Sequence, residues 1–283
     1  MLKIVTDGSN DMPSEWASDF EIDVLPLFVR FGETTYVPGV NINGTDFYEL
    51  VRQSKVVPKS SLPSPDQIAT FYRKISQKGD EILSIHLGSK MSGTFSTVQM
   101  AARELADEFK IYTFDSAAGS AALAFMCREA RLLHRSGVSV TDILRYLDDM
   151  RQKITIVFTV DNLEFARLSG RVNALQSAIT SVLRIKPIIV LRDGLLQMSE
   201  KVRTRQRSLE RVVALVHERV GKRQVNIAVV HAADPKTADW MADRVWKVLN
   251  IKELILTDLS IPVAANLGPG TVGIVAYPVN LVE

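Results

Sequence analysis

Cysteine is almost missing: the 283 residues contain one, Cys127, set in the apolar run Ala121-Ala-Leu-Ala-Phe-Met-Cys127. Its isolation excludes an internal disulfide and a multi-cysteine metal site, and marks it as a core residue that favours a reducing compartment. Histidine is scarce as well. His86, His134, His217 and His231 are scattered with no second ligand at helical spacing, so no metal site is expected. Charge of one sign does not dominate, because 34 Lys and Arg face 32 Asp and Glu for a net +2. Such a mild balance, without a reading element, argues against nucleic acid as a partner. No run is apolar for the length of a bilayer. The start, Met-Leu-Lys-Ile-Val-Thr-Asp, lacks the charged and apolar regions of a signal peptide, so a cytoplasmic location is the expectation. Internal repeats and low-complexity stretches are absent too. What is present, 46% hydrophobic and 23% charged residues, suits a folded protein of one large or two medium domains.

One stretch organises the chain. Ser84-Ile-His-Leu-Gly-Ser-Lys-Met-Ser-Gly-Thr94 reads as a buried strand, a hydroxyl-rich loop and a helix start. Upstream, Glu81 to Leu87 is apolar enough to be covered on both faces. Downstream, Phe95, Val98, Ala101, Ala102 and Leu105 recur at helical spacing. Such a junction presents free backbone N–H groups and the positive end of a helix dipole to an anion, with Ser89, Ser92 and Thr94 as added donors. The bland alternative is that Ser92 only caps the helix.

Other strand, loop and helix units surround it. Leu2 to Thr6 ends in the turn Asp7-Gly-Ser-Asn-Asp11, and Phe109 to Phe114 ends in Asp115-Ser-Ala-Ala-Gly-Ser120. Helices are expected at Thr45 to Arg52, Pro65 to Gln77, Ala117 to Arg135 and Val140 to Lys153. Pro58-Lys-Ser-Ser-Leu-Pro-Ser-Pro65 carries three prolines, which forbid regular structure there, and three serines on one loop. This alternation predicts an N-terminal three-layer α/β/α domain with a mainly parallel sheet, whose functional groups gather after the strand C-termini.

The second half differs. Strands are expected at 155–160, 187–191, 195–204, 225–231, 253–258 and 272–277, with helices near 173–184, 205–219 and 236–249. The Asp193-Gly194 turn joins two strands tightly, which predicts a C-terminal two-layer α/β domain with a mixed sheet. The division falls at 1–155 and 156–283.

Several motifs fail their context. Gly268-Pro-Gly-Thr-Val-Gly273 spells a dinucleotide fingerprint, but a β-rich run follows it and no second strand with an acid lies downstream. It reads instead as a tight loop with close backbone approach. Asp7 and Asp11 could meet a cation, yet acids at strand ends more often hold neighbouring loops. Ser92 is conceivable as a nucleophile for a hydrolase or acyltransferase, with Lys90 beside it, but the stretch lacks elbow spacing and shows no histidine as base. The basic run Lys201 to Arg207 is a docking face or a solvated one. In Arg167-Leu-Ser-Gly-Arg171, the glycine frees the backbone to aim the guanidinium inward. The residues alone thus give an anion site walled by hydroxyls, with Arg171 as the cation.

Thr6-Asp7 with Asp11, Lys59-Ser-Ser-Leu-Pro-Ser64, Met91-Ser-Gly-Thr-Phe95, Asp115-Ser116, Leu168-Ser-Gly-Arg-Val172, Lys186-Pro187 and Gly268-Pro-Gly270 occur in an order that resembles the DegV family of bacterial fatty-acid-binding proteins along the whole chain. The resemblance implies a non-enzymatic lipid carrier that needs no cofactor and holds a long-chain fatty acid in an interdomain tunnel. It implies Ser60, Ser61, Ser92, Gly93, Thr94, Ser116, Arg171 and Asn266 around the head group, with the carboxylate on Ser92 and Ser60. It also implies a separate fatty acid kinase catalytic subunit that phosphorylates the presented carboxylate, with transient membrane-surface contact. Ser60 stands where the family has threonine and keeps the hydroxyl. Asn266 stands where the family has histidine and keeps hydrogen-bond donors and an acceptor without a titratable ring. Leu62 replaces a common glutamine.

Overall fold

The computed structural model describes residues 1–54, 56–173 and 185–281. The helix expected near 173–184 lies, beyond its first residue, outside the described residues. The first half forms β1 (Leu2–Asp7), α1 (Trp16–Asp19), β2 (Ile22–Leu25), β3 (Phe28–Phe31), β4 (Thr34–Tyr36), α2 (Gly44–Ser54) and β5 (Lys59–Ser61). It continues with α3 (Pro65–Ile75), β6 (Glu81–His86), α4 (Thr94–Glu104), β7 (Lys110–Asp115), α5 (Ala121–Arg135) and α6 (Val140–Lys153). The second half forms β8 (Thr155–Thr159), α7 (Leu163–Ser169), β9 (Val172–Asn173), β10 (Lys186–Arg192), β11 (Leu195–Val202) and α8 (Arg205–Val220). It closes with β12 (Val225–His231), α9 (Pro235–Val248), β13 (Ile251–Asp258), α10 (Ile261–Leu267) and β14 (Val272–Pro278).

Two domains result. The first is built on a parallel sheet of order β2-β1-β6-β7 with helices on both faces. On one face, Val5, Ile82, Ile68, Tyr72, Val98 and Leu105 pack the sheet against α3 and α4. On the other face lies α5, whose residues Ala121 to Cys127 are all buried because the helix is also covered from the second domain. The second domain is a mixed sheet of order β13-β12-β14-β8-β10-β11-β9. Its outer face packs on α8 and α9 through Val157, Ile188, Val212, Val216, Ile227 and Met241. Its inner face looks toward the first domain, and the alternation along β8 makes the division plain, with Val157 outward and Ile156 and Phe158 inward.

Local rules account for the connections. Asp193 and Gly194 both take positive φ, 53° and 75°, and close the antiparallel β10–β11 hairpin. Ser64 caps α3 by accepting from Gln67 N–H, Gln67 returns a bond to Ser64 N–H, and Pro65 opens the helix.

Two expectations need correction. The proline-rich loop is not free of regular structure: Lys59–Ser61 forms β5, an edge strand of a small antiparallel sheet of order β4-β3-β5. Pro58 and Pro63 flank it, so its own N–H groups remain available for pairing. The helix expected from Ala117 starts only at Ala121. Asp115 Oδ1 accepts from Ala117 N–H at 2.9 Å and Ser116 Oγ from Ala118 N–H at 3.1 Å, which holds the segment as a loop with Ala117 and Ser120 at positive φ.

Candidate functional site

Between the two sheets lies a cavity of about 160 Å³. Its walls are mostly apolar, from Ile156 and Phe158 of β8, Val275 of β14, Val230 of β12, and Leu191 and Leu196 of the hairpin. Gly273 faces Phe158 across the β14–β8 pair, and a Cβ there would stand 2.5 Å from Phe158 Cβ. Only glycine leaves the strands their spacing with that ring in place.

Polar groups gather in three segments of the lining. The first is the loop between β6 and α4. Met91 and Ser92 N–H donate to Gly88 O at 2.9 and 3.2 Å, folding the loop back, and Gly88 N–H donates to Ala118 O at 2.8 Å. Gly88 packs so closely on Ala117 that a Cβ would lie 2.9 Å from its carbonyl carbon. Half-buried Ser92 accepts at Oγ from Thr94 N–H at 3.2 Å, and its hydroxyl lies 2.8 Å from the hydroxyl of fully buried Thr94. The residue in the cap position itself is Gly93, with no side-chain cap. Ser92 therefore covers one orphan N–H of the first turn and at the same time lines the cavity.

The second segment is β5. Ser60 pairs with Val29, and both Ser60 and Ser61 line the cavity. Leu62 joins β5 to the first loop, since a Cβ on Gly93 would lie 3.3 Å from Leu62 Cδ2. The third segment is α10, which packs on β5 and on α7. Asn266 Nδ2 donates to Ser60 Oγ at 3.0 Å and to Pro262 O at 2.7 Å. Pro262 O accepts only, so the amide nitrogen must face that side, and Ser60 Oγ is the acceptor of the other proton. The Ser60 hydroxyl proton is thereby left for another partner.

Arg171 follows α7, whose C-cap Gly170 takes φ 70°. Its guanidinium contacts Ser169 O, it is exposed, and it lines the cavity. Among the described lining residues it is the one charged side chain, and none is acidic. An anion entering this cavity meets hydroxyl donors and one cation with no repelling carboxylate on the wall.

Seven of the sequence-derived residues, Ser60, Ser61, Ser92, Gly93, Thr94, Arg171 and Asn266, thus line one cavity. Ser116 stands apart. It is buried outside the lining, donating to Ala118 O at 3.0 Å and accepting from Ala118 N–H. Its hydroxyl serves the turn. Sequence reasoning passed over Ser9, Ser120 and Thr271, which also line the cavity. Ser9 and Ser120 stand in loops after strand C-termini, which was a usable signal, whereas Thr271 is fully bonded to Leu267 O and Gly268 O.

A serine nucleophile finds no support. The side-chain neighbour of the Ser92 hydroxyl is Thr94, and among the described residues no histidine lines the cavity. A Ser–His–Asp row exists elsewhere: Ser84 Oγ lies 2.7 Å from His86 Nε2, and His86 Nδ1 lies 3.1 Å from Asp7 Oδ2. All three residues are sealed from solvent, and Ser84 Oγ also meets the Tyr72 phenol at 2.6 Å. Burial alone would raise the Asp7 carboxyl, but the His86 contact and the Ser9 and Leu87 donors outweigh it and hold it below its ordinary value. The row ties the β1 and β6 loops together through Leu87 N–H, 2.9 Å from Asp7 Oδ2. The basic run at 201–207 is broken up as well: Arg205 turns inward to Asp234 at 3.1 Å and Gly270 O at 2.6 Å, leaving Lys201, Arg203 and Arg207 exposed.

A family model described as an uncharacterised protein of the DegV family matches residues 1–279. Protein DegV of Bacillus subtilis is 30% identical over 275 residues, covering 96% of this chain and 98% of its own. The crystal structure of DegV from Bacillus subtilis, described as a fatty acid binding protein, superposes with a TM-score of 0.85 at 28% identity over 98% of this chain and 99% of that one. A DegV family protein from Thermus thermophilus, described for its fatty acid binding, gives 0.89 at 25% identity over the same shares. Full-length agreement in both sequence and two-domain architecture means that the chain belongs to the DegV family.

Proposed function

We propose that the protein binds a long-chain fatty acid in the cavity between its domains and acts as a carrier rather than as an enzyme. The observation that carries this reading is the cavity itself: an apolar interior with hydroxyls of Ser60 and Ser92 in its wall and Arg171 as its charged group. Each methylene removed from water contributes about 0.8 kcal/mol, so a long tail supplies most of the affinity. The head group then needs orientation more than strength. Ser60, with its proton freed by Asn266, and Ser92, held by Thr94, are suited to donate to the two carboxylate oxygens, with Arg171 nearby. The fatty acid binding described for the Bacillus subtilis and Thermus thermophilus relatives supports the same reading.

We propose as well that the protein presents the head group to a separate kinase, a reading that the exposure of the head end supports. Ser61, Leu62, Gly93 and Arg171 are all exposed there, so a carboxylate between them is within reach of a docked partner. Native mass spectrometry of protein expressed in bacteria tests the binding, with a noncovalent mass in the fatty-acid range expected. A stripped protein that takes up no added fatty acid defeats the proposal. For the kinase, acyl phosphate should form only when carrier, fatty acid, nucleotide and a fatty acid kinase catalytic subunit are combined.

A further inference from the structure

Asp11 lies outside the cavity lining but beneath one of its walls. It sits in the loop after β1, is 3% exposed, and accepts at Oδ1 a 2.7 Å hydrogen bond from the backbone N–H of Ser260. Ser260 immediately precedes α10. The segment from Leu259 to Leu267 supplies Leu259, Pro262, Val263, Asn266 and Leu267 to the lining. A carboxylate of the first domain therefore pins the start of a wall built by the second, while Asn266 pins its far end to Ser60.

The surroundings of Asp11 are unusual. Among the described residues its Oδ2, the Ser120 hydroxyl and the Ser260 hydroxyl are each buried without a hydrogen bond of good geometry, although both hydroxyls lie near enough to this carboxylate to favour its ionised form. Asp11 holds φ of 44°, which Asp tolerates, whereas Ser120 holds φ 61° with ψ −149°, a strained combination for a residue with a Cβ. The titratable groups that face Asp11 are Asp258 of β13 and the Tyr48 phenol of α2. His231 Nδ1 lies 3.0 Å from Asp258 Oδ1 and attends to that acid. Asp258 is a like charge and the phenol is neutral, so neither compensates an ionised Asp11. Burial, opposed by the Ser120 and Ser260 donors and reinforced by Asp258, raises its carboxyl to about 7.

We infer that Asp11 is the positioning residue for the α10 wall of the ligand cavity, and that its ionisation loosens this wall and speeds exchange of the bound acid. The inference rests on the cavity being the fatty-acid site. Neutral Asp11 keeps the Ser260 N–H bond at Oδ1 and has a proton at Oδ2 to give to a Ser120 or Ser260 hydroxyl. Ionised Asp11 is a buried charge with no counter-ion among the described residues, and parting from α10 lets water reach it. The carboxyl is raised in the closed state, so closure is fully favoured below the ordinary carboxylate range and is lost as pH rises through about 7. Between about pH 6 and about pH 8 this linkage changes the open-to-closed ratio roughly tenfold and then levels off.

The test is stopped-flow displacement of cis-parinaric acid from the full chain by excess oleic acid across that pH range. The wild-type release rate should rise about tenfold from acid to alkaline, and Asp11→Asn, a neutral isostere that keeps the acceptor, should release slowly at every pH. A flat wild-type profile, or an Asp11→Asn profile that parallels it, overturns the inference. Ser260→Ala keeps the backbone bond but removes a hydroxyl that stabilises the ionised form, so the midpoint should move upward. An unmoved midpoint overturns the inference even if Asp11→Asn does not fold. Failure to bind parinaric acid at any pH overturns instead the reading of the cavity on which this rests.

Discussion

Tail burial and head-group orientation should separate cleanly in a chain-length series measured on the wild type and on Ser92→Ala. Along the tail, the walls are side chains such as Ile156, Phe158, Val275 and Val230, so each added methylene leaves water for hydrocarbon. At about 0.8 kcal/mol per methylene, Kd should fall roughly fourfold per carbon until the tail fills the cavity. At the head, Ser92→Ala removes one donor to a charged acceptor, nominally worth about 1.5–3 kcal/mol. Ser92 is only half-buried and Ser60, Thr94 and Arg171 remain, so water and neighbours recover part of that. A loss near 1 kcal/mol, about fivefold in Kd, is expected at every chain length. The same substitution uncovers Thr94 N–H in the first turn of α4, at a stability cost of roughly 1 kcal/mol, so thermal unfolding must accompany the titrations. Displacement titration of a fluorescent fatty acid by saturated acids of increasing length gives both slope and offset. Two parallel lines separated by about fivefold support the account. A slope near zero in the wild type, or a Ser92→Ala line that converges with the wild type or drops more than about a hundredfold, refutes the reasoning.

Gly273→Ala forces a Cβ to 2.5 Å from Phe158 Cβ, so β14 must shift or Phe158 must move into the cavity. The expected outcome is a stability loss of about 1–3 kcal/mol by calorimetry and a preference moved toward shorter acids in competition binding. Asp7→Asn disturbs the buried contact with His86 and the bonds from Ser9 and Leu87, and should destabilise by about 1–3 kcal/mol near neutral pH. The Asp7 carboxyl is held low in the folded state, so its contribution is present above the ordinary carboxylate value of 3.8 and is lost on further acidification. Denaturation curves of the variant and the wild type should accordingly draw together in strong acid. Cys127 is fully buried, and burial, with Asp7 adding and the Thr6 hydroxyl opposing, pushes its thiol up to about 12. Ellman's reagent should therefore label it only on unfolding, and stoichiometric labelling of the native protein would contradict that placement.

Elements with a local cause were legible in the sequence. The strand, loop and helix around Ser92 declare themselves by an apolar run, a glycine-bracketed hydroxyl cluster and helical spacing. The β10–β11 hairpin declares itself by Asp193-Gly194, where left-handed backbone is required. Elements whose cause is tertiary were not. Ile261 to Leu267 is short and nearly uniformly apolar, so no periodicity reveals a helix there. It is held from outside by Asp11 at its start and by packing on α7 and β5. Lys59–Ser61 becomes a strand only because β3 offers an edge.

The site shows the same division. Hydroxyls after strand ends can be nominated from sequence, but which way each one turns is decided by its neighbours. Ser92 faces the cavity while Ser116 folds back onto Ala118. Tail-lining residues were the least legible, because β8 is buried on both faces and its composition does not say that Phe158 looks into a cavity and Val157 into the α8 interface.

The central claim is that hydroxyls from a loop and an edge strand of the first domain, the latter set by Asn266 of the second, orient a fatty acid carboxylate at the exposed end of an apolar cavity. A crystal structure of the protein with its co-purified or added fatty acid tests it most directly. The account predicts carboxylate oxygens within hydrogen-bonding distance of Ser92 Oγ and Ser60 Oγ, and a tail running past Phe158 and Val275. A cavity left empty in the presence of excess fatty acid, or a carboxylate seated at Ser9 and Ser120 with the tail toward Arg171, contradicts it.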